Sequence, residues 1–467
     1  MGNDSRTTLH NAALNGQTRT VELLLTSGAF PMEARDQDGN TPLHLAVWKS
    51  HMDVVELLLD KGASVRLSNW YLNTPLHLAA WNGHTSIVEL LLRKGAPLEL
   101  INHYQNTPLH LTVSKGHTGV AELLVGKGAS IEAFDENENT PLNLATRSGY
   151  IGTAKLLLKK GAMVQALNRF HNTSLHLAAS SGHSSVVELL LRNGALIDDT
   201  NDDADTPLYL ATRNGHTGTV ELLLRNGAST HEIGQGNDTL LHLAARHGYT
   251  GVVELLVGKG AQIRARNEDG NTPLHLATSS GHADVVELLL AKGAPIETIG
   301  ESKNTPLHLA VQSGRTNMVE LLLRKGASTE VVNQFDNAPL HVAAQSGHIC
   351  VVELLLGKGA LIEALSGNNN TPLHLAAWNG YTDIVELLLR KGASIEAITR
   401  YNNTPLHVAS LSGHTRIVEL LLLKGASIQA LNEYNKTPLH LAAQHGHSDI
   451  MQLLENKATD LGRETSA

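Results

Sequence analysis

Twenty-six histidines in 467 residues are the first side chains here that could do chemistry, because imidazole is both a common metal ligand and a common general base. Many fall seven residues apart, as in His77/His84, His110/His117 and His176/His183. That spacing could serve an array of ligands. It is, however, a spacing that recurs along the whole chain, which points to a scaffold rather than to one site. No His-Glu-x-x-His, Cys-x-x-Cys or EF-hand spacing occurs. The single cysteine, Cys350, excludes an intrachain disulfide and a Cys-based zinc site, and has no obvious base partner. Gly126-Lys127-Gly128 and Gly258-Lys259-Gly260 lack the upstream glycine and following Ser/Thr of a phosphate loop, and no serine sits in a G-x-S-x-G elbow. No catalytic residue, metal ligand or cofactor-binding residue is therefore expected.

The elements that carry these histidines repeat with a period of 33 residues. Thr41-Pro42-Leu43-His44 returns as Thr74-Pro75-Leu76-His77 and Thr107-Pro108-Leu109-His110, and continues in register to His440. Thr7-Thr8-Leu9-His10 opens the series one residue early, with the extra residue placed in the Phe30 to Asp38 connection. This makes fourteen repeats. Within each, Thr is a helix N-cap and Pro takes the first helical position, where its missing N–H costs nothing. A glycine such as Gly83 ends this short first helix. A second, more apolar segment such as Ser86–Leu92 then runs to another glycine, Gly95. Helices this short do not persist alone, so each pair must bury its face against neighbouring pairs.

The period, the Thr-Pro-Leu-His-Leu-Ala-Ala run, the Gly-His pair and Leu-Leu-Leu-x-x-Gly-Ala together resemble the ankyrin repeat. The resemblance covers nearly the whole chain. It implies an all-α solenoid of stacked helix-turn-helix repeats with projecting finger loops over residues 1–459, followed by a short tail, 460–467. It also implies that the recurrent histidines hydrogen-bond to backbone between repeats. Asn3, Asp4, Ser5 and Arg6 at one end, and Gln452, Glu455, Asn456 and Lys457 at the other, read as polar caps. Repeat five, with Asn143, Gly152 and Lys155, departs furthest in its core, repeat eight has Leu240 for the signature proline, and local opening is expected near one of them before global unfolding.

With 36 basic against 45 acidic residues the formal charge is −9, which argues against bulk-charge nucleic-acid binding. The Leu-rich runs are too short to span a bilayer, and the start has no apolar stretch for a signal peptide. One cysteine fits a reducing compartment, cytoplasm or nucleus. The chain is expected to work as a monomer with protein partners and no cofactor.

Aromatic residues are only 3%, and they are not placed like a core. When the Thr of Thr-Pro is numbered place six, Trp48, Trp81 and Trp378 occupy place thirteen on the first helix. Tyr71, Tyr104, Phe170, Phe335, Tyr401 and Tyr434 occupy place three in the fingers, with Trp70 at place two. By the resemblance these places face a concave binding groove. Trp and Tyr are favoured interface anchors, although rings on adjacent fingers could instead stack and stiffen the array. The rings gather in two patches. Trp48, Trp70, Tyr71, Trp81 and Tyr104 belong to repeats two to four; Phe335, Trp378, Tyr401, Leu411 and Tyr434 belong to repeats eleven to fourteen, with Phe170 apart between them. Arg147, Arg213 and Arg246 hold place thirteen in the polar stretch between, beside an acidic finger of Asp198, Asp199, Asp202, Asp203 and Asp205. The expected function is a non-enzymatic protein-binding scaffold or adaptor, with a substrate-recognition subunit of an enzyme complex such as a ubiquitin ligase as the alternative.

Overall fold

Each first helix begins where the sequence supplies its cap. In repeat three, Thr74 has extended backbone, its hydroxyl accepts from the His77 N–H, and Pro75 opens the helix Pro75–Asn82. Gly83 ends it in the left-handed region at φ 74°. The second helix, Thr85–Arg93, follows at once, and the chain leaves it at Gly95 with φ 82°. The computed structural model describes residues 6–231 and 233–464. Among them the pair recurs to give 28 α-helices. The described residues form no β-strand, only an isolated bridge between Ile233 and Thr239. No described helix is long and apolar enough to cross a membrane.

Glycine ends the first helix in most repeats, with Ser50 in its place in repeat two at φ 62°, and two features favour the glycine. A Cβ on Gly83 would lie 2.6 Å from the His117 ring of the next repeat, and its positive φ is strained for other residues. The same ring-on-glycine contact joins Gly149 to His183 and Gly248 to His282, while Tyr150 and Tyr381 take the ring's place over Gly116 and Gly347.

The chain forms two compact units, Met1–Glu232 and Ile233–Ala467. Repeats one to seven lie in the first and eight to fourteen in the second. Within each unit, first helices pack on neighbouring first helices and on their own partners, and second helices touch each other more thinly. The core consists of small and branched side chains: Leu43, Ala46, Val47, Val54, Val55 and Leu58 are all essentially inaccessible in repeat two. No described Phe, Tyr or Trp is buried. Many short layers, rather than one centre, hide the apolar surface.

Two departures from the repeat resolve differently. In repeat five, Asn143 does the work of the histidine: its Oδ1 accepts from the Thr140 N–H at 3.0 Å and hydroxyl at 2.9 Å, and its Nδ2 donates to Ser174 Oγ at 3.1 Å. Ser174 stands where most other repeats have proline, so the two substitutions satisfy one another. Repeat eight buries Leu240 in the proline place, but its finger lacks a turn-forming side chain, with Gly234 at place one and a 3₁₀ turn at Gln235–Asn237. The division between compact units falls beside that finger.

At the C-terminal end the expected tail is largely helix. The last helix runs from Ser448 to Glu464, five residues into the segment 460–467. The reason is local: Ala458 occupies the place of the stop glycine, so nothing provides a left-handed residue to end the helix. At the other end Arg6 pairs with Asp36 at 3.4 Å, whereas Asn3, Asp4 and Ser5 lie outside the described residues.

Candidate functional site

Most of the recurrent histidines are held by the scaffold, although the buried Nε2 of His84 has no hydrogen-bond partner among the described residues. His77 Nε2 faces the Asn106 carbonyl oxygen at 3.1 Å. A carbonyl can only accept, so Nε2 carries the proton and Nδ1 accepts, from the Thr74 N–H at 3.2 Å and its hydroxyl at 2.8 Å. Burial holds these imidazoles neutral: His44, His77, His275 and His374 are all pushed down to about 4, because desolvation disfavours the charged ring. The second row reaches back instead. His117 Nε2 donates to the Trp81 carbonyl at 3.0 Å and His414 Nε2 to the Trp378 carbonyl at 2.8 Å. Among the described residues no group of three or more His, Cys, Asp or Glu side chains could hold a metal ion. Cys350 is exposed, in the first turn of the helix Ile349–Gly357.

The second row thus ties down Trp81 and Trp378 at place thirteen, though not Trp48, and the fingers position the residue at place three. Asn102 Oδ1 accepts from the Tyr104 and Asn106 N–H groups, each at 3.0 Å. Gln105 between them turns the chain at φ 56°. Asn102 Nδ2 donates to Asn73 Oδ1 of the preceding finger at 3.0 Å. The same amide link joins Asn69 to Asn40, Asn168 to Asn139 and Asn432 to Asn403. Fingers are further joined by backbone, with the His103 N–H donating to the Tyr71 carbonyl at 3.0 Å and the Glu433 N–H to the Tyr401 carbonyl at 3.0 Å. These amide and backbone links join neighbouring fingers, and among the described residues no ring contact joins one aromatic finger to the next.

Ring and finger meet around open cavities. One of about 330 Å³ is lined by Trp48, Trp81, Tyr104, Leu78, Leu111, His77 and the carboxamides of Asn73, Asn102 and Asn106. Trp48 and Tyr71 also line a neighbouring cavity of about 540 Å³ with Lys49 and Asp38. In the second compact unit a cavity of about 400 Å³ is lined by Trp378, Tyr401, Val408, Leu411 and Leu375, with His374, Asn370 and Asn403. Each place-thirteen Trp is followed 23 residues on by a finger Tyr: Trp48 by Tyr71, Trp81 by Tyr104, Trp378 by Tyr401. The rings stay accessible, Trp81 at 38% and Trp378 at 51%.

The remaining expected residues are distributed differently. Trp70 is exposed on one side, but its ring lies where a Cβ on Gly39 would be, at 2.6 Å, with the Arg35 guanidinium 5.0 Å from the ring centre. It serves finger packing and lines neither Trp–Tyr cavity. Phe335 lines a polar cavity of about 680 Å³ with Gln312, Gln345 and Asn379. Phe170 has Arg169 over its ring at 5.5 Å, and both Phe170 and Tyr434 are exposed; neither lines these cavities.

The acidic finger is partly consumed by structure. Asp198 accepts the Ser229 N–H at 3.2 Å, as Glu99 does from Ser130 and Glu396 from Ser427 one repeat on. Asp202 pairs with His171 and raises that imidazole's pKa. Asp205 lies 3.8 Å from Arg213, and desolvation raises its carboxyl despite that partner. On the second helix of repeat six, Glu188 and Arg192 form an i,i+4 ion pair at 2.6 Å.

Sequence reasoning did not single out the asparagines at places one and five. Their recurrence at Asn69, Asn73, Asn102 and Asn106 was a visible signal, but only the folded fingers show that one carboxamide sets a turn, links two repeats and borders a cavity.

Family models described as "Ankyrin repeats (3 copies)" match residues 1–69, 76–168, 134–201, 175–267, 225–299, 241–333, 307–399 and 397–465. One described as "Ankyrin repeats (many copies)" matches residues 49–92. No curated protein matches the chain. Among solved structures, the human ASB11 ankyrin repeat domain is similar at 32% identity with a TM-score of 0.45, over 48% of this chain and 99% of that one.

Proposed function

We propose, because the chain belongs to the ankyrin-repeat family, that it is a non-enzymatic scaffold or adaptor whose groove cavities hold segments of partner proteins. Ankyrin repeats mediate protein–protein interaction, and fold alone does not choose the partner. The observation that carries the reading is the Trp–Tyr pairing around open cavities. Trp81 with Tyr104, and Trp378 with Tyr401, present large accessible rings beside carboxamides, while other bonds hold the fingers. Accessible rings that the scaffold does not need are suited to anchor a partner side chain. The single cysteine suits work in the reducing cytoplasm or nucleus.

The test is a quantitative pull-down comparing wild type with a variant carrying Trp48→Ala, Trp81→Ala, Trp378→Ala and Tyr401→Ala, after circular dichroism has shown both to be folded. The variant is expected to lose the partners that wild type retains. An unchanged partner list would overturn the groove reading. A stoichiometric catalytic subunit among the lost partners would recast the adaptor as the recognition subunit of an enzyme complex such as a ubiquitin ligase.

A further inference from the structure

The two Trp–Tyr cavities differ in charge. Lys115 sits over Trp81 with its Nζ 3.9 Å from the ring centre. Lys49 lines the adjoining cavity beside Trp48 and Tyr71. Both are exposed, and among the described residues neither has a carboxylate within ion-pair distance. The walls of the Trp81 cavity contain no acidic side chain. Carboxylates come near only at its margins: Asp38 lines the adjoining cavity, and Glu136 and Glu138 stand on the next finger. In a chain of net charge −9, two unpaired ammonium groups flanking an apolar cavity are a local reversal of sign. At the equivalent places around Trp378 the chain carries Ser346 and Ser412, so that cavity has no cation.

Resting on the groove reading, we propose that repeats two to four take an acidic, extended peptide segment, its carboxylates pairing with Lys49 and Lys115 and an apolar side chain between them entering the Trp81–Tyr104 cavity. Lys49 and Lys115 occupy the same place two repeats apart. At about 10 Å per helix layer they are separated by roughly 20 Å. An extended chain rising about 3.3 Å per residue covers that distance in about six residues. Carboxylates that far apart lie on one face of the extended chain, and an apolar residue two or four positions after the first shares it. Partial withdrawal of Lys115 from the Trp81 face on pairing would also free that ring for the apolar side chain.

The experiment uses the full chain and a fluorescein-labelled peptide bearing glutamates six residues apart with leucine on the same face between them, read by fluorescence polarisation at low salt. The expected results are saturable binding that weakens as salt is raised. Lys49→Gln with Lys115→Gln should raise Kd by about tenfold, as Trp81→Ala should. Trp378→Ala should leave it unchanged. The lysine changes are at exposed positions, and an unshifted thermal transition confirms the fold. Equal binding of a peptide with lysine in place of glutamate, no binding of the acidic peptide, or an unaltered Kd in the double lysine variant would each overturn the proposal. Such a failure is distinct from that of the groove reading, which falls only if the four-ring variant also keeps all its partners.

Discussion

The cavity around Trp81 and the one around Trp378 are built from the same places of repeats nine periods apart. Asn73, His77, Leu78, Trp81, Tyr104 and Asn106 correspond to Asn370, His374, Leu375, Trp378, Tyr401 and Asn403. The differences lie at their edges. Trp48 becomes Gln345, Asn102 becomes Thr399 and Lys115 becomes Ser412, while Leu411 replaces Ser114. A 33-residue frame therefore fixes where a cavity forms, and a few side chains at its edge decide its charge, depth and rigidity.

Acid should have the largest effect, and should treat the two regions alike. The floor of each cavity contains a histidine held neutral at about 4, His77 in one and His374 in the other. A pKa lowered on folding means the unfolded chain binds protons first. The stability these rings contribute is whole above about pH 6.5 and is lost as pH falls from there towards 4. His44 and His275 add in the same sense. Thermal melts are expected to move steeply downward across this window. Fluorescence of a Trp378→Phe chain reports the first region, and that of a chain with Trp48, Trp70 and Trp81 changed to Phe reports the second. A transition insensitive to pH between 6.5 and 4 in either would contradict the neutral-histidine account.

A core truncation should separate what acid treats as one. Leu76, beneath the first cavity, and Leu373, beneath the second, are both essentially inaccessible. Changing either to Ala removes buried methyl groups at about 2–5 kcal/mol. Because each repeat contacts mainly its neighbours, hydrogen exchange should accelerate around the altered repeat and leave the other cavity protected. Uniform acceleration through both compact units would show a single cooperative block instead.

The smallest change addresses the finger amides. Asn102 Nδ2 bonds Asn73 Oδ1, whereas Thr399 offers no amide to Asn370 and only accepts the Tyr401 and Asn403 N–H groups at 3.3 and 3.2 Å. Thr399→Asn should stabilise the second finger by about 0.5–1.5 kcal/mol, and Asn102→Thr should cost the first a similar amount. Denaturant midpoints would show the two shifts with opposite sign. Shifts of the same sign would mean the amide link has no net value.

Much of this molecule was legible in its residues. The period located every helix pair, Thr and Pro marked the starts, and glycine marked the stops, because capping and left-handed turns are local choices. Place thirteen and place three could be named as ring-bearing, and the recurrent histidines as scaffold. The last helix runs on to Glu464, and Ala458 in a glycine place carries the reason. Trp70 neighbours the place-three rings in sequence, and only the folded finger shows that one side of its ring lies against Gly39.

The sequence by itself determined the repeat, its helices and the list of rings outside the core, since these follow from caps, φ preferences and apolar spacing within a few residues. Tertiary structure alone decided which ring meets which finger, that Ser174 answers Asn143, that Lys115 lies on Trp81, and that asparagine amides link the fingers. Each of those pairs joins residues 23 to 34 positions apart. Such contacts depend on how one repeat is laid against the next, a geometry that summed packing over many side chains sets and that no single residue type encodes.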